Sequence, residues 1–213
     1  MAKQIIGLLN PVDQFVQDFD YDRKHWFVEY CGDYNQQRRI MDIVNVKEYL
    51  AGMHDINKVP ADPVKGQEFQ SRRIVLAYGR KLLDFSTSYL IGNKITLSGD
   101  ESVIEEIRKI YKTSDYDKKD YDLVLNVNRY GNSYEYVYIK ADQDRKISSK
   151  IIDPADSYPV YNEDGEYISF IEHYTINNVS YWNVYYADRV EKWTNNGGGI
   201  SKRNEFANLS GLP

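Results

Sequence analysis

The chain has 213 residues, which is enough for one substantial hydrophobic core or one large domain with an appendage. Its composition, 42% hydrophobic and 28% charged, excludes a disordered chain, and a net charge of −5 argues against tight nucleic-acid binding by the isolated chain. The single Cys31 excludes an internal disulfide and fits a reducing compartment. No stretch approaches the ~20 apolar residues of a membrane span, so we expect a soluble protein made in the cytoplasm.

The N-terminal region has two amphipathic patterns. The first begins at Asp13 and breaks at Cys31-Gly32-Asp33, and the second begins near Tyr34 and stops at Gly52. Because the region is strongly charged, we predict that residues 1–60 form a helical arm at the periphery, and that an α+β domain occupies residues 61–213. Residues 1–12 are expected to be loosely attached.

The central prediction is one long, largely buried helix over about residues 70–91. Gly79 in its interior predicts a close backbone contact, and Gly92-Asn93 predicts a left-handed C-cap. Basic side chains mark the opposite, solvated face. The apolar face recurs at three- and four-residue steps: Ile74, Tyr78, Leu82, Phe85 and Tyr89.

Two further helices are predicted after this one. The first spans about Glu101 to Lys112 and has a capping box at Ser102 and Glu105. The second runs from about Asp117 to Tyr130 and ends at Gly131.

The periodicity then changes from helical to alternating, which predicts an antiparallel β meander over about residues 132–194. Polar turns are expected at residues 142–144, 162–165 and 177–178, and a flexible loop at Asn195–Gly199. The 20 tyrosines fit half-buried strands. The predicted strands are 133–139, 146–152, 158–161, 167–175, 179–186 and 190–194.

The candidates for chemistry all have simpler structural explanations. His25, His54 and His173 have no metal-ligand spacing, and Gly197-Gly198-Gly199 lacks the Gly-Lys-Ser/Thr of a phosphate-binding loop. We therefore predict no enzymatic activity, no catalytic, cofactor-binding or metal-binding residues, and no cofactor; nucleic-acid-binding residues are not assigned. Clusters interpreted as turns or as solvated helix surface are Asp142/Asp144, Glu163/Asp164/Glu166, Arg38-Arg39, Arg72-Arg73 and Lys118-Lys119.

A series of short motifs, in order, resembles the portal proteins of tailed bacteriophages in the SPP1-like siphophage group. The resemblance covers about residues 36–213. Lys94 stands where the family has a proline and Ser133 where alanine is common, and the family's stem, clip and crown are missing from this sequence. The motifs are Tyr89–Thr96 followed by Ser98–Glu101, then Gly131–Tyr138, Ile152-Asp153-Pro154, Pro159-Val160-Tyr161 and Asn208–Pro213.

The resemblance implies a structural head–tail connector of a phage or prophage. Such proteins form a ring, usually dodecameric, at one capsid vertex, through which DNA is packaged and ejected without specific binding. They contact the major capsid and scaffolding proteins, and contact the terminase and head–tail adaptor through regions missing here; no membrane is involved. This chain would be the wing without stem and clip, located in the virion and, during assembly, in the host cytoplasm.

Two other functions are compatible with the residues. An autonomous domain could bind a protein or glycan with its tyrosine-rich hairpins, and would be a stable monomer that ends at Pro213. A carboxylate-dependent hydrolase would need convergent acidic residues, and substitution of Asp144 and Glu166 would abolish its activity. For the portal wing we expect a monomeric or weakly associated chain.

Overall fold

A computed structural model describes residues 10–60, 62–64, 67–69, 72–93, 95–140 and 146–208. These residues contain six α-helices and nine strands, all strand pairs being antiparallel. The helices are α1 (Pro11–Asp18), α2 (Trp26–Gly32), α3 (Tyr34–Leu50), α4 (Tyr78–Ile91), α5 (Glu101–Thr113) and α6 (Tyr116–Tyr130). The strands are β1 (Asp62–Val64), β2 (Gln67–Phe69), β3 (Tyr134–Ile139), β4 (Ile147–Ile152), β5 (Ser157–Tyr161), β6 (Tyr167–Ile176), β7 (Val179–Tyr185), β8 (Arg189–Thr194) and β9 (Ser201–Ala207).

The chain divides into two compact units. The sheet unit comprises residues 1–40 and 134–213, and the helical unit comprises residues 41–133. The predicted boundary between residues 60 and 61 falls inside the helical unit. The division of the chain into an arm and an α+β domain stays a prediction. Among the described residues, no helix is long and apolar enough to cross a bilayer.

The sheet unit is built on a five-stranded meander in the order β5-β6-β7-β8-β9. Tight turns join its strands: Asn177 and Asn178 both have positive φ, which matches the twist of a two-residue hairpin. At the β5–β6 turn the side chain of Asn162 accepts a hydrogen bond from the Glu166 amide at 2.8 Å. The strands β3 and β4 form a separate hairpin, and β9 extends the sheet beyond the predicted end at residue 194.

The helices α1 and α2 cover one face of this sheet. The Asn10 side chain caps α1 by accepting from the Val12 amide at 3.0 Å, and Pro11 occupies the first helical position. Phe27 of α2 is only 1% exposed and packs between Trp182 and Trp193 of the sheet. The helices α1 and α2 thus form an outer layer whose charged residues lie outside an apolar inner face, and the description of residues 1–60 as an arm stays a prediction. Residues 1–9 lie outside the described residues.

The opposite face of the sheet is covered by the β3–β4 hairpin. Ile152, Phe170, Tyr185 and Val190 form a second buried cluster, against which tyrosines of β3 pack. Consequently, the sheet has a helical layer on one side and a two-stranded layer on the other.

In the helical unit, α4 packs against α6, and α6 also contacts α5. The predicted C-cap at Gly131 is confirmed by its φ of 76°, whereas Gly92 has a right-handed conformation and the predicted left-handed cap there is wrong. The cap of α5 is Asp100 rather than the predicted Ser102–Glu105 box, because Asp100 Oδ1 accepts from both the amide (2.9 Å) and the hydroxyl (2.6 Å) of Ser102.

The α+β fold class is confirmed, with helices before a C-terminal set of antiparallel strands. The central helix differs in two respects from its prediction. It begins at Tyr78 instead of near residue 70, and the face predicted to be buried is exposed.

Candidate assembly surface

The side of α4 that faces its own unit is made of small and polar residues. The hydroxyl of Thr87 is fully buried and accepts a hydrogen bond from Asn128 Nδ2 of α6 at 2.9 Å. Gly79 lies beneath the Tyr49 ring, where a Cβ would come within 3.1 Å of Tyr49 Cε1. The close contact predicted at Gly79 is present, but it involves a side chain rather than backbone. These residues let α4 approach its neighbours closely.

The opposite side of α4 carries its large apolar residues and is exposed. Tyr78, Leu82, Phe85 and Tyr89 have 64%, 68%, 71% and 82% of their surface exposed. We call these four residues the α4 stripe. Their spacing of four, three and four residues is the a/d pattern by which one helix packs along another element. The helix is therefore amphipathic, but its apolar side faces away from its own unit.

The α4 stripe is too large to be an incidental feature of a monomer's surface. An aromatic side chain can bury about 150–250 Å², so three aromatics and a leucine at these exposures present roughly 500–700 Å² of apolar surface. Patches of that size on soluble proteins mark interaction sites. Leu90, also exposed, extends the surface.

In the sheet unit, a buried carboxylate fixes the β3–β4 hairpin onto the sheet. Glu172 of β6 is nearly fully buried and pairs with the ammonium of Lys150 on β4. Its other oxygen accepts from Asn183 Nδ2 at 2.8 Å and from the Tyr185 hydroxyl at 3.1 Å. Burial and the adjacent Glu172 carboxylate raise the pKa of Tyr185 far above its usual range, so this phenol stays protonated and donates. The network links the hairpin to the sheet.

A second buried carboxylate lies on the other face. Glu191 accepts from Arg189 Nε at 2.9 Å and from Trp193 Nε1 at 3.1 Å, and pairs with Lys202 Nζ at 3.1 Å. Burial alone would raise the pKa of Glu191, but hydrogen bonds from these three donors outweigh it and hold the pKa below its ordinary value. The three residues line a cleft of about 500 Å³. Since both cations already serve Glu191, the cluster functions as a structural tie between β8 and β9.

Comparison with known families decides the class of the protein. The family model described as "Phage portal protein, SPP1 Gp6-like" matches residues 33–211, which include the α4 stripe and the whole five-stranded sheet. The chain belongs to this portal protein family. A search of curated proteins found no match. The portal family is structural, and its members are components of the phage particle.

The three histidines of this portal protein lie in different places and contact aromatic rings. His54 stacks on Tyr49 with 4.2 Å between ring centroids, and His173 stacks on Trp182 at 5.0 Å. His25 pairs with Asp22 and packs edge-on against Trp193. Burial lowers the pKa of His173. Within the described residues, no three His, Cys, Asp or Glu side chains are grouped as metal ligands.

The remaining predicted clusters are distributed over the surface and the core. Glu163, Asp164 and Glu166 belong to the β5–β6 turn, and Gly197-Gly198-Gly199 belongs to the β8–β9 loop, as predicted. Asp142 and Asp144 lie outside the described residues. Cys31 is buried in the core cluster shared by α1, α2 and the sheet, and burial raises the pKa of its thiol well above its usual range.

Two of the basic pairs are not wholly the solvated surface that was predicted. The guanidinium of Arg39 donates to the carbonyl of Pro154 at 3.2 Å and to the carbonyl of Ser157, and it lies over the Tyr158 ring. It therefore attaches α3 to the start of β5. Arg73 similarly donates to the carbonyl of Asn57 at 2.7 Å. These contacts could not be predicted from the sequence, because the carbonyl groups that accept from Arg39 and Arg73 lie far away along the chain. A pair of basic residues looks the same whether it is solvated or bonded in this way.

Proposed function

We propose that the chain is the wing of a portal subunit, part of a ring at one capsid vertex through which DNA is packaged and ejected. The observation that carries the proposal is the family match over residues 33–211. The exposed α4 stripe supports it, because a subunit of a ring must present apolar surface to neighbours. In this proposal the helical arm of residues 1–60 and the α+β wing domain of residues 61–213 are two parts of one portal subunit.

The charge of the chain fits a conduit for DNA. Proteins that hold DNA tightly do so by releasing counterions from its phosphates. A chain with a net charge of −5 does not favour this release, so it does not hold the DNA in place. Arg39 and Arg189, which could contact phosphates if free, are occupied by carbonyl and carboxylate oxygens of the chain itself. We infer that DNA passes the wing without specific binding.

In this proposal, docking of the packaging and tail proteins depends on other segments of the portal subunit, and capsid assembly depends on partner proteins. A stem and clip would dock the terminase and the head–tail adaptor, while the wing would contact the major capsid and scaffolding proteins in the virion and, before that, in the host cytoplasm. The role is structural; it requires no catalytic residue, metal or cofactor.

Electron microscopy of labelled phage heads tests the proposal. An epitope inserted between Asn196 and Gly197, in the exposed β8–β9 loop, should be tolerated because this loop lies outside the ladder. Antibody–gold is expected at a single vertex of each head. Gold distributed over the whole shell, or heads without label despite expression of the tagged protein, would contradict the portal assignment. An epitope placed in the major capsid protein serves as the control, since it must label all vertices.

A further inference from the structure

The cleft beside Glu191 has a part that the Glu191 network does not use. It lies within the sheet unit, between the start of α1, the α1–α2 loop and the sheet. Its volume of about 500 Å³ is in the range of small-ligand sites. We call it the loop–sheet cleft. Arg189 and Lys202 line it from the sheet and are bound to Glu191, whereas Arg23 and Lys24 line it from the loop.

The two loop cations have no anionic partner in the part of the chain that the structure describes. The acidic residue next to them, Asp22, accepts from the Lys24 amide at 3.2 Å and pairs with the His25 ring at 3.2 Å instead. Both Arg23 and Lys24 are exposed, and both side chains are donors only. Two positive charges that the chain does not neutralise therefore border the cleft.

A phenol that lines the same cleft has a free proton. Tyr186 is only 6% exposed and its hydroxyl accepts from Trp26 Nε1 at 3.3 Å, but no described residue accepts the proton of that hydroxyl. Burial and then the charge of Glu191 raise the pKa of Tyr186 to about 12, so the phenol keeps its proton at neutral pH. Because a buried donor normally has an acceptor, this proton indicates a ligand with oxygen atoms.

The charges around the cleft favour a doubly charged anion. Four basic and two acidic residues line it, which leaves two positive charges in a chain whose net charge is −5. A phosphate monoester has about −1.5 to −2 charges at pH 7 and three acceptor oxygens, whereas a carboxylate has one charge. Guanidinium and ammonium groups are the side chains that bind phosphate. The charged lining residues are Arg23, Lys24, Arg189, Lys202, Asp13 and Glu191.

We propose that the loop–sheet cleft binds a dianionic phosphate group, either inorganic phosphate or a phosphate monoester. Arg23 and Lys24 supply the positive charge, and the Tyr186 hydroxyl donates a hydrogen bond. Arg189 and Lys202 stay bonded to Glu191, so the ligand does not compete with the tie between β8 and β9. The bound phosphate connects the α1–α2 loop to the sheet. This binding site goes beyond the proposed portal function and does not depend on a ring.

Titration with inorganic phosphate at constant ionic strength tests the site through the indole N–H resonances of the three tryptophans. Trp26 and Trp193 line the cleft, and Trp182 is not among the lining residues. The resonances of Trp26 and Trp193 should shift and saturate, while that of Trp182 stays in place. Glycerol phosphate, a monoester, should produce the same pattern. Dimethyl phosphate, a diester with a single charge, should bind at least about fivefold more weakly.

Substitutions identify the groups that bind the phosphate. Arg23→Ala together with Lys24→Ala should weaken binding at least about tenfold, because two charged donors are lost. The matched control, Arg38→Ala together with Lys192→Ala, removes the same two charges from exposed positions outside the cleft and should leave the affinity unchanged. Circular dichroism of each variant establishes that the fold is retained.

The hydroxyl of Tyr186 is tested separately. Tyr186→Phe should weaken phosphate binding about fivefold, as the loss of one hydrogen bond permits. The Trp193 resonance reports binding in this variant, because the substitution also removes the acceptor of the Trp26 indole. An affinity equal to that of the unmodified chain would show that the phenol does not contact the ligand and would contradict the proposed site.

Four outcomes of the titrations would overturn the inference. They are the absence of saturable shifts, equal shifts of all three tryptophans, equal weakening by the two double variants, and binding of dimethyl phosphate as tight as that of phosphate. Tighter binding of glycerol phosphate than of inorganic phosphate would support the site and identify an organic monoester as its ligand. Tighter binding of inorganic phosphate would support the site and identify the free ion.

Discussion

Two amphipathic segments of this chain have the same kind of sequence pattern and opposite environments. The apolar faces of α1 and α2 are among the most buried surfaces of the molecule, although this region is rich in charge. The α4 stripe has the regular spacing of a buried helix and is 64–82% exposed. Periodicity therefore identifies an apolar face but does not say whether the partner of that face lies in the same chain. In a subunit of an assembly, that partner can be another copy.

Truncation of one phenylalanine in each region should have very different effects on stability. Phe27→Ala should lower the free energy of unfolding by about 3–5 kcal/mol, since it empties a site between Trp182 and Trp193. Phe85→Ala should change it by less than about 0.5 kcal/mol, because the side chain is 71% exposed. Urea denaturation followed by far-UV circular dichroism, which reports on the helices and strands of both units, measures both. Equal losses would mean that α4 is buried in the folded chain.

A second prediction concerns the network that holds the hairpin. Glu172→Gln removes the charge that pairs with Lys150 and weakens the bonds from Asn183 and Tyr185. We expect a loss of about 2 kcal/mol, the scale of hydrogen bonds to a charged group. Glu166→Gln, in the exposed β5–β6 turn, is the control and should cost much less. If both substitutions have the same small effect, the hairpin is not held by Glu172.

A third, smaller effect should appear as a dependence of stability on pH. Burial lowers the pKa of His173 below its unfolded value of 6.5, so the unfolded chain binds the proton more readily. The stability contributed by neutral His173 is complete above pH 6.5 and declines as the pH falls below it. His173→Phe keeps a ring against Trp182 and should make unfolding less pH-sensitive between roughly pH 6.5 and 5.

The smallest effect is expected for Glu191 at lower pH. Its pKa is held below its ordinary value of 4.5, so its contribution is present above that pH and is lost as the pH falls through the folded pKa. Glu191→Gln should therefore reduce stability at neutral pH and reduce the acid sensitivity below pH 4.5. The free energy of unfolding of both chains is measured at pH 7 and at pH 3.5. A loss of the same size at both pH values would contradict this prediction.

Most of the fold could be predicted because its signals are local. The alternation of β3 to β8, the turn at Asn177-Asn178 and the cap at Gly131 depend on neighbouring residues, and the structure has them where the sequence placed them. The strand β9 was missed because its residues, Ser201–Ala207, are all exposed and show no alternation of apolar and polar side chains. The Asp100 cap was missed because Asp100 and Ser102, two residues apart, are both residue types that can cap α5.

The candidate site could be predicted only in part, because it depends on long-range contacts. The spacing of the α4 stripe identified its residues as one face of the helix. Their exposure could not be predicted, because it follows from the contacts of Thr87 with α6 and of Gly79 with Tyr49 on the opposite side of the helix. Likewise, the β3 pattern predicts two faces without saying which one the sheet covers. The role of Glu172 could not be predicted from the sequence, because its partners Lys150 and Asn183 lie on two other strands.

The accessibility of α4 before and after assembly shows whether the α4 stripe is an assembly surface. A Phe85→Cys variant is treated with a thiol-reactive maleimide, once as the isolated chain and once in the protein built into purified phage heads. Fast labelling of the isolated chain and strong protection in heads is the result this account predicts. Equal labelling rates in both states would show that the α4 stripe stays open to solvent, and would contradict its role as an assembly surface.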